Sequence, residues 1–531
     1  MYTCRSAALK RFEHAGLRFL TCVLYCAVLL AINLTDVRAQ KKPTPKKLPS
    51  ADKIVDKYIK AIGGKKAVAR LNDATYEYLV QSNETKVGRA RLKRKVPGSE
   101  RVDLEFANGS ITSATNSSSA WELGLDNRLR TSTGLESNNA KLAALLNASR
   151  LLNFKKLNVL ARAVSVGDAA SEPAYIVEFS TRAGAKLQYY FSTQTGLITK
   201  ITDDVQKTRT LLEDYRSAKG IHEPHRIRVN RSDGELTFVL QSVVFNSGID
   251  DKQFDPPASE DLDVAALLRE VGTNQDEVER RVTEYAFTQK EIDREINSKG
   301  VLKKETVKVY EVYPVANRRP VEKLISENGV PLSAERASRE EKRVQEELSK
   351  AEREKEKDET NAARRRAEQQ RKNKAEGRDE DEDPEISQFL RACEFVSPRR
   401  ETFDSRETIV FDFRPKQGFR PSNREESLIA KLVGTIWIDP LDKQVIRLEA
   451  RLAEGFKMAG GLLVSLKPGA ALIMEQKRME GGVWLPRYAQ INLSVKVLLF
   501  GGGDYNKTIE WSDYKHFSGD VKDYKIEAPK P

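Results

Sequence analysis

The sequence is poor in the residues from which cross-links and active centres are most often built. Of 531 residues only four are cysteine, four histidine, four methionine and four tryptophan. Three cysteines (Cys4, Cys22, Cys26) fall within the first 39 residues. Only Cys393 remains beyond them, so no intramolecular disulfide can staple the rest, and an ordinary core must hold the fold. Cys393 stands between Ala392 and Glu394 in an alternating stretch and reads as a small buried apolar residue, not a nucleophile. No G-x-S-x-G, phosphate-binding glycine loop or C-x-x-C occurs. Two of the four histidines share the stretch KGIHEPHRIRV (219–229). Zinc-binding H-E-x-x-H places its imidazoles four apart on a helix; here His222 and His225 are three apart and Pro224 opposes a helix. The stretch reads as a turn followed by a strand. No catalytic residue, metal or cofactor is expected.

Long apolar runs are also scarce. FLTCVLYCAVLLAINL (19–34) is 16 residues long, short of the roughly 20 a spanning helix needs. Lys10, Arg11 and Arg18 precede it and Val37-Arg38-Ala39 follows, the pattern of a signal peptide over 1–39 cut after Ala39. The expected location is the periplasm, with association at the outer membrane a further expectation. The formal charge of +12 falls to +9 once the five basic and two acidic residues of that leader are gone. So small an excess gives no ground for a nucleic-acid partner. The basic run Arg89, Arg91, Lys93, Arg94, Lys95 reads as a charged edge strand or as a peripheral contact with anionic lipid.

What remains is a chain of strands. After a Pro/Lys linker (40–50), Ser50 caps a helix whose Ile54, Tyr58, Ile59 and Ile62 recur at helical spacing, ended by Gly63-Gly64. From Ala74 the period becomes two, in TYEYLVQS, RARLKRKV, RVDLEF, AYIVEFS, AKLQYYFS, HRIRV and GELTFVLQSVVF. Helical material interrupts at about 139–163, with Asn138 or Asn139 as its expected N-cap. A helical connector over 258–282 leads to a second run of strands, in which NSKG marks a hairpin. Residues 333–383 hold 15 basic and 17 acidic side chains. They read as a solvated helix running into a disordered end, without the lasting heptads of a coiled coil.

Three matches recur in order between the two halves. IVEFSTRAG (176–184) pairs with VFDFRPKQG (410–418), and FSTQTGLITKI (191–201) with IDPLDKQVIRL (438–448). Arg216-x-x-x-Gly220-Ile221-x-x-Pro224 pairs with Arg478-x-x-x-Gly482-Val483-x-x-Pro486. Their offsets grow from 234 to 247 to 262, as loops and added hairpins allow. GGLLVSLKPGAALIMEQ (460–476) reads as such a hairpin, with Pro468-Gly469 at its tip. The pattern predicts tandem domains over 51–257 and 283–520, the second carrying the charged insertion, and a tail over 521–531.

In RYAQINLSVKVLLF, Ile491, Leu493 and Val495 share an apolar face opposite a wet one; Leu187, Tyr189 and Phe191 share another. These six are the candidate ligand-pocket residues. A broad sheet with few helices either leaves part of its apolar face open as a concavity or fills it with core, and the pattern fits both. The helix ADKIVDKYIKAIGGKKAVARL with its strands, FSTQTGLITKI and EDYRSAKGIHEPHRIRV resemble the periplasmic outer-membrane lipoprotein-sorting (LolA/LolB-like) carriers. The likeness covers about 50–257 and, more loosely, 283–517. The resemblance implies an α+β fold of curved antiparallel half-barrels, each covered by a few helices. It implies a non-enzymatic carrier or chaperone of lipid or lipoprotein acyl chains in envelope biogenesis. The alternative is an envelope interaction protein whose charged insertion binds a protein partner.

Overall fold

Alternating apolar and polar residues, punctuated by turns that often place Gly, Asn or Asp at positive φ, fold into hairpins and meanders, because those residues adopt that conformation with the least strain. The computed structural model describes residues 48–169, 172–232, 234–258, 262–297, 301–314, 320–350, 384–458, 464–497 and 501–516. For 275–280, 384–387, 458, 464, 495–497 and 501–503 only the backbone is described. The signal segment 1–39, most of the charged insertion and the tail 521–531 lie outside the described residues. From Pro49 on, the described chain belongs to one compact unit, Pro49–Glu356 with Asp381–Pro531. Its architecture is two large curved antiparallel sheets with few helices, the α+β class.

Helices α1 (Ala51–Ala61) and α2 (Lys65–Val68) precede the first sheet. Ser50 caps α1 by accepting from the Lys53 amide at 3.4 Å. Strands β1 to β6 (Asp73–Ser82, Thr85–Lys95, Ser99–Phe106, Gly109–Thr115, Ala120–Leu123, Leu129–Thr131) form one meander. Helix α3 (Gly134–Ser149) leads to a second, β7 to β13 (Leu160–Ala169, Glu172–Ser180, Lys186–Ser192, Ile198–Asp203, Thr208–Ala218, Ile221–Arg231, Gly234–Phe245). The last strand, β13, returns to pair with the first, β1, joining the meanders into thirteen strands.

The second sheet repeats this order. Helix α4 (Val264–Val282) precedes β14 to β17 (Tyr285–Ile296, Leu302–Tyr313, Val321–Glu327, Val330–Pro331). A helix over 334–350, α5, follows, then α6 (Pro384–Ala392). Strands β18 to β21 (Cys393–Phe403, Arg406–Pro415, Leu432–Asp439, Gln444–Leu452) come next, with α7 (Arg424–Ile429) between β19 and β20. Strands β22 to β26 (Phe456–Met458, Val464–Leu466, Ala471–Arg478, Trp484–Val497, Gly501–His516) complete the sheet. Again the last strand, β26, pairs with the first, β14. The charged insertion thus occupies the place in the order that α3 holds in the first sheet. Its few apolar residues have a use: Val344 and Leu348 of α5 are buried against Tyr313 and Val321.

Each sheet has a helix-covered core. Helices α1 and α3 bury Tyr58, Leu142 and Leu146 on Val177, Phe179 and Phe191. Helices α4 and α6 bring Leu267, Leu268, Val271 and Phe389 onto Phe411, Phe413 and Ile436. Cys393 lies in this second core, and burial pushes its thiol up to about 12.

Two local expectations are corrected. Helix α3 starts at Gly134 after Thr133, not at Asn138 or Asn139. Asn139 is buried and spent on tertiary contacts, donating to Asp203 at 2.7 Å and accepting from the Lys186 amide at 2.9 Å. Pro468-Gly469 is also no hairpin tip. Leu466 pairs with Val495 and Ala471 with Asn492, so β23 and β24 follow one another along the same neighbour, β25. Pro468-Gly469 is a break between them, as proline lacks the amide a continuous ladder needs.

Candidate functional site: an apolar concavity with a charged end

The sequence-predicted pocket residues divide. Leu187, Tyr189 and Phe191 on β9 are 2%, 2% and 0% exposed, packed beneath helices. Phe191 meets Tyr58 edge-on at 5.8 Å, and Tyr189 meets Phe179 at 5.1 Å. Ile491 and Leu493 on β25 are half-buried; the side chain of Val495 lies outside the described residues. The opposite face of β25 is not wet: Asn492 and Ser494 are buried. The turn between β8 and β9 reaches that face, where Arg182 pairs with Asp504 at 2.7 Å and Asn506 donates to the Arg182 carbonyl. Period-two alternation separates the faces of a strand but does not say which one another part of the chain will cover.

A different surface has the character of a ligand site. On one face of β1, β2, β3, β12 and β13, Tyr76, Tyr78, Val80, Ala90, Leu92 and Leu240 form a buried cluster. Half-buried Leu104, Phe106, Ile227, Leu236 and Phe238 extend it. The register confirms one shared face: Tyr78 lies opposite Leu240 and Ala90, Val80 opposite Phe238, and Ala90 opposite Leu104. Every described member of this cluster is a strand residue. Among the described residues no residue of α1 or α3 belongs to this cluster, although α3 also lies against β2 to β5.

One end of this tract is charged, and it contains the residue between the two histidines. Lys219 and Gly220 turn the chain at φ +50° and +84°, and β12 then alternates. Ile221, Glu223, His225 and Ile227 fall on the concave face; His222 points the other way and is exposed. The two imidazoles thus lie on opposite sides of the sheet and cannot share an ion. Buried Glu223 accepts from Tyr76 Oη at 3.0 Å and from Arg150 Nη2 at 2.9 Å. Arg150, in the left-handed C-cap of α3 (φ +49°), also donates to Tyr76 Oη at 2.7 Å. Beside them Arg94 stands 5.6 Å over the Tyr76 ring and pairs through Nε with Glu100 at 2.6 Å. Asn147 of α3 also donates to Glu100. Burial, then the Glu223 charge, raise the Tyr76 phenol well above its ordinary value, so it stays a donor at any physiological pH.

The cluster is a network of paired charges. Its arginines are permanently charged and its carboxylates are paired with them. Among the described residues no group of three or more His, Cys, Asp or Glu could hold a metal ion. The sequence signal for Glu223 is an acid at an apolar strand position between Ile221 and Ile227.

No protein-family model matches the chain, and no curated protein matches it. Solved structures do show similarity. A LolA superfamily protein from Nitrosomonas europaea is 12% identical, with a TM-score of 0.28, over 39% of this chain and 99% of its own. An outer-membrane lipoprotein-sorting protein domain from Vibrio parahaemolyticus is 11% identical, with a TM-score of 0.27, over 38% of this chain and 97% of its own. The MucA/MucB complex of Pseudomonas aeruginosa matches at 7% identity and a TM-score of 0.17, over 86% of this chain and 93% of its own.

Proposed function

We propose that the protein is a non-enzymatic periplasmic carrier of hydrophobic ligands, holding an acyl chain along the concave face of the first sheet. The observation that carries this reading is the strand-only apolar tract with its half-buried Leu104, Phe106 and Phe238, to which no helix residue belongs among the described residues. Covering such a surface with an acyl chain stabilises the complex by about 25 cal/mol per Å² of apolar area removed from water. The test is native mass spectrometry of the full chain purified from the periplasm without detergent. Bound lipid is expected in the wild type. Leu104→Gln with Phe106→Gln should release it while the far-ultraviolet circular dichroism stays unchanged. A wild-type protein that carries no lipid and takes up none from vesicles overturns the reading.

The two sheets follow one strand order, and on that ground we read the chain as two copies of one unit, over 51–257 and 283–520. The three sequence matches fall at equivalent strands: β8 with β19, β9–β10 with β20–β21, and β11–β12 with β24–β25. The paired turns before β12 and β25 even share their backbone, with Gly481 and Gly482 at φ +86° and +84°. A second function fits the insertion. Helix α5 is held by two buried side chains and is otherwise charged, a suitable base for contact with an envelope protein. Removing 333–383 should leave lipid retention intact and abolish capture of that partner.

A further inference from the structure

We propose that the ligand is an anionic amphiphile and that Arg94 takes its acid group, a carboxylate or phosphate, at the charged end of the apolar tract. This inference rests on the carrier reading and specifies the chemistry of its ligand.

The basic run on β2 supplies the first observation. Alternation splits it, leaving Arg89, Arg91, Lys93 and Lys95 on the convex face. Three of these are engaged there: Arg91 with Glu77, Lys93 with Gln253, and Lys95 with Asp251. Arg94 alone joins Ala90 and Leu92 on the concave face, in register with Ala74 and Glu100. It therefore continues the row of apolar side chains that an acyl chain would follow.

The second observation is what Arg94 leaves free. Its one ion pair is made through Nε, and Nη1 and Nη2 donate to no described residue. The side chain is 21% exposed, so this end of the guanidinium can be reached. Two parallel N–H groups on Nη1 and Nη2 match the two oxygens of a carboxylate or phosphate, a fit that a lysine amine cannot reproduce. Tyr76 supports the arrangement from both sides, its ring under Arg94 and its hydroxyl held by Arg150 and Glu223.

Glu100 and Glu223 already balance the charges of Arg94 and Arg150. The site would therefore select an anion by the direction of its free donors and not by excess charge, which sets a moderate preference of about tenfold.

The experiment titrates delipidated full-length protein at low salt with oleate, dodecyl phosphate, oleyl alcohol and inorganic phosphate, read by calorimetry. Oleate and dodecyl phosphate should each bind about tenfold more tightly than oleyl alcohol, and inorganic phosphate should not compete. The double variant Arg94→Gln/Glu100→Gln, which leaves no unpaired charge behind, should bind oleate and oleyl alcohol alike. Arg94→Lys should keep only part of the preference. If the wild type binds oleate and oleyl alcohol equally, the head-group inference fails and the carrier reading survives. If none of the amphiphiles binds, both fail. Competition by inorganic phosphate would mark a site for free anions and overturn the inference. The wild-type comparison decides even if the double variant, checked by its thermal melt, does not fold.

Discussion

Glu223 and His222 are neighbours in sequence with opposite roles, and their substitution separates those roles. Glu223→Ala leaves Arg150 buried without its carboxylate, which should cost about 3–5 kcal/mol. His222→Ala on the exposed face should change stability by no more than about 0.5 kcal/mol. Urea unfolding followed by fluorescence measures both, and equal losses would refute the buried network. The pair also shows what residue-level reading can do. Alternation correctly places Leu187, Tyr189 and Phe191 together, and the turn-strand reading of KGIHEPHRIRV holds. Which polar residue on a strand becomes buried depends on what arrives over it, here Arg150 from the end of a helix 73 positions away.

Elements were more legible than contacts, because strand period and turn glycines are local properties. The caps and hairpins that failed did so through tertiary partners: Asn139 met β9 and β10, and Pro468-Gly469 fell along β25. Close packing between elements gives a direct test in Gly434 of β20. A Cβ there would come within 1.9 Å of the Glu449 carbonyl on β21 and 2.7 Å of the Phe413 ring on β19. Gly434→Ala must push apart two strands that sandwich it, and the cost should approach the upper end of the roughly 1–3 kcal/mol typical of overpacking. Denaturant midpoints of the variant and wild type check this. An unchanged midpoint would mean that β20 and β21 part here at no cost, which would refute the close packing.

At the scale of the molecule, buried polar contacts join the two sheets. Ser119 donates to Asp412 at 2.5 Å, Thr131 donates to Glu401 from its amide and hydroxyl, and buried Arg399 bonds Thr131 at 2.7 Å. Helix α3 contributes Lys141, facing Glu449, Arg451, Asp412 and Arg447. Burial lowers its amine to about 8, against the attraction of Glu449. An amine with a depressed folded value opposes folding while it is charged. The unfolded chain therefore holds the extra proton between about pH 8 and the ordinary lysine value near 10.5, and stability from this group rises with pH across that window. Lys141→Met should consequently stabilise the protein at pH 7, with the gain shrinking as pH passes 8 and gone above about 10.5. Paired thermal melts from pH 7 to 10.5 give the difference; a gain independent of pH would exclude this origin.

The pairing of first strand with last has a consequence for how the molecule forms. A meander can assemble as it is made, hairpin by hairpin, but β1 meets no β13 until some 170 further residues exist. In the second sheet β14 must wait for β26, with the charged insertion intervening. The wait is less costly than its length suggests, because the entropy of closing a loop grows only logarithmically. Each sheet is nevertheless an open pair of ribbons until its final strand arrives, with two edges of unpaired amides and carbonyls exposed to wrong partners. Refolding from denaturant should show early strand formation followed by a slow, concentration-sensitive phase in which first and last strands pair and join the two meanders.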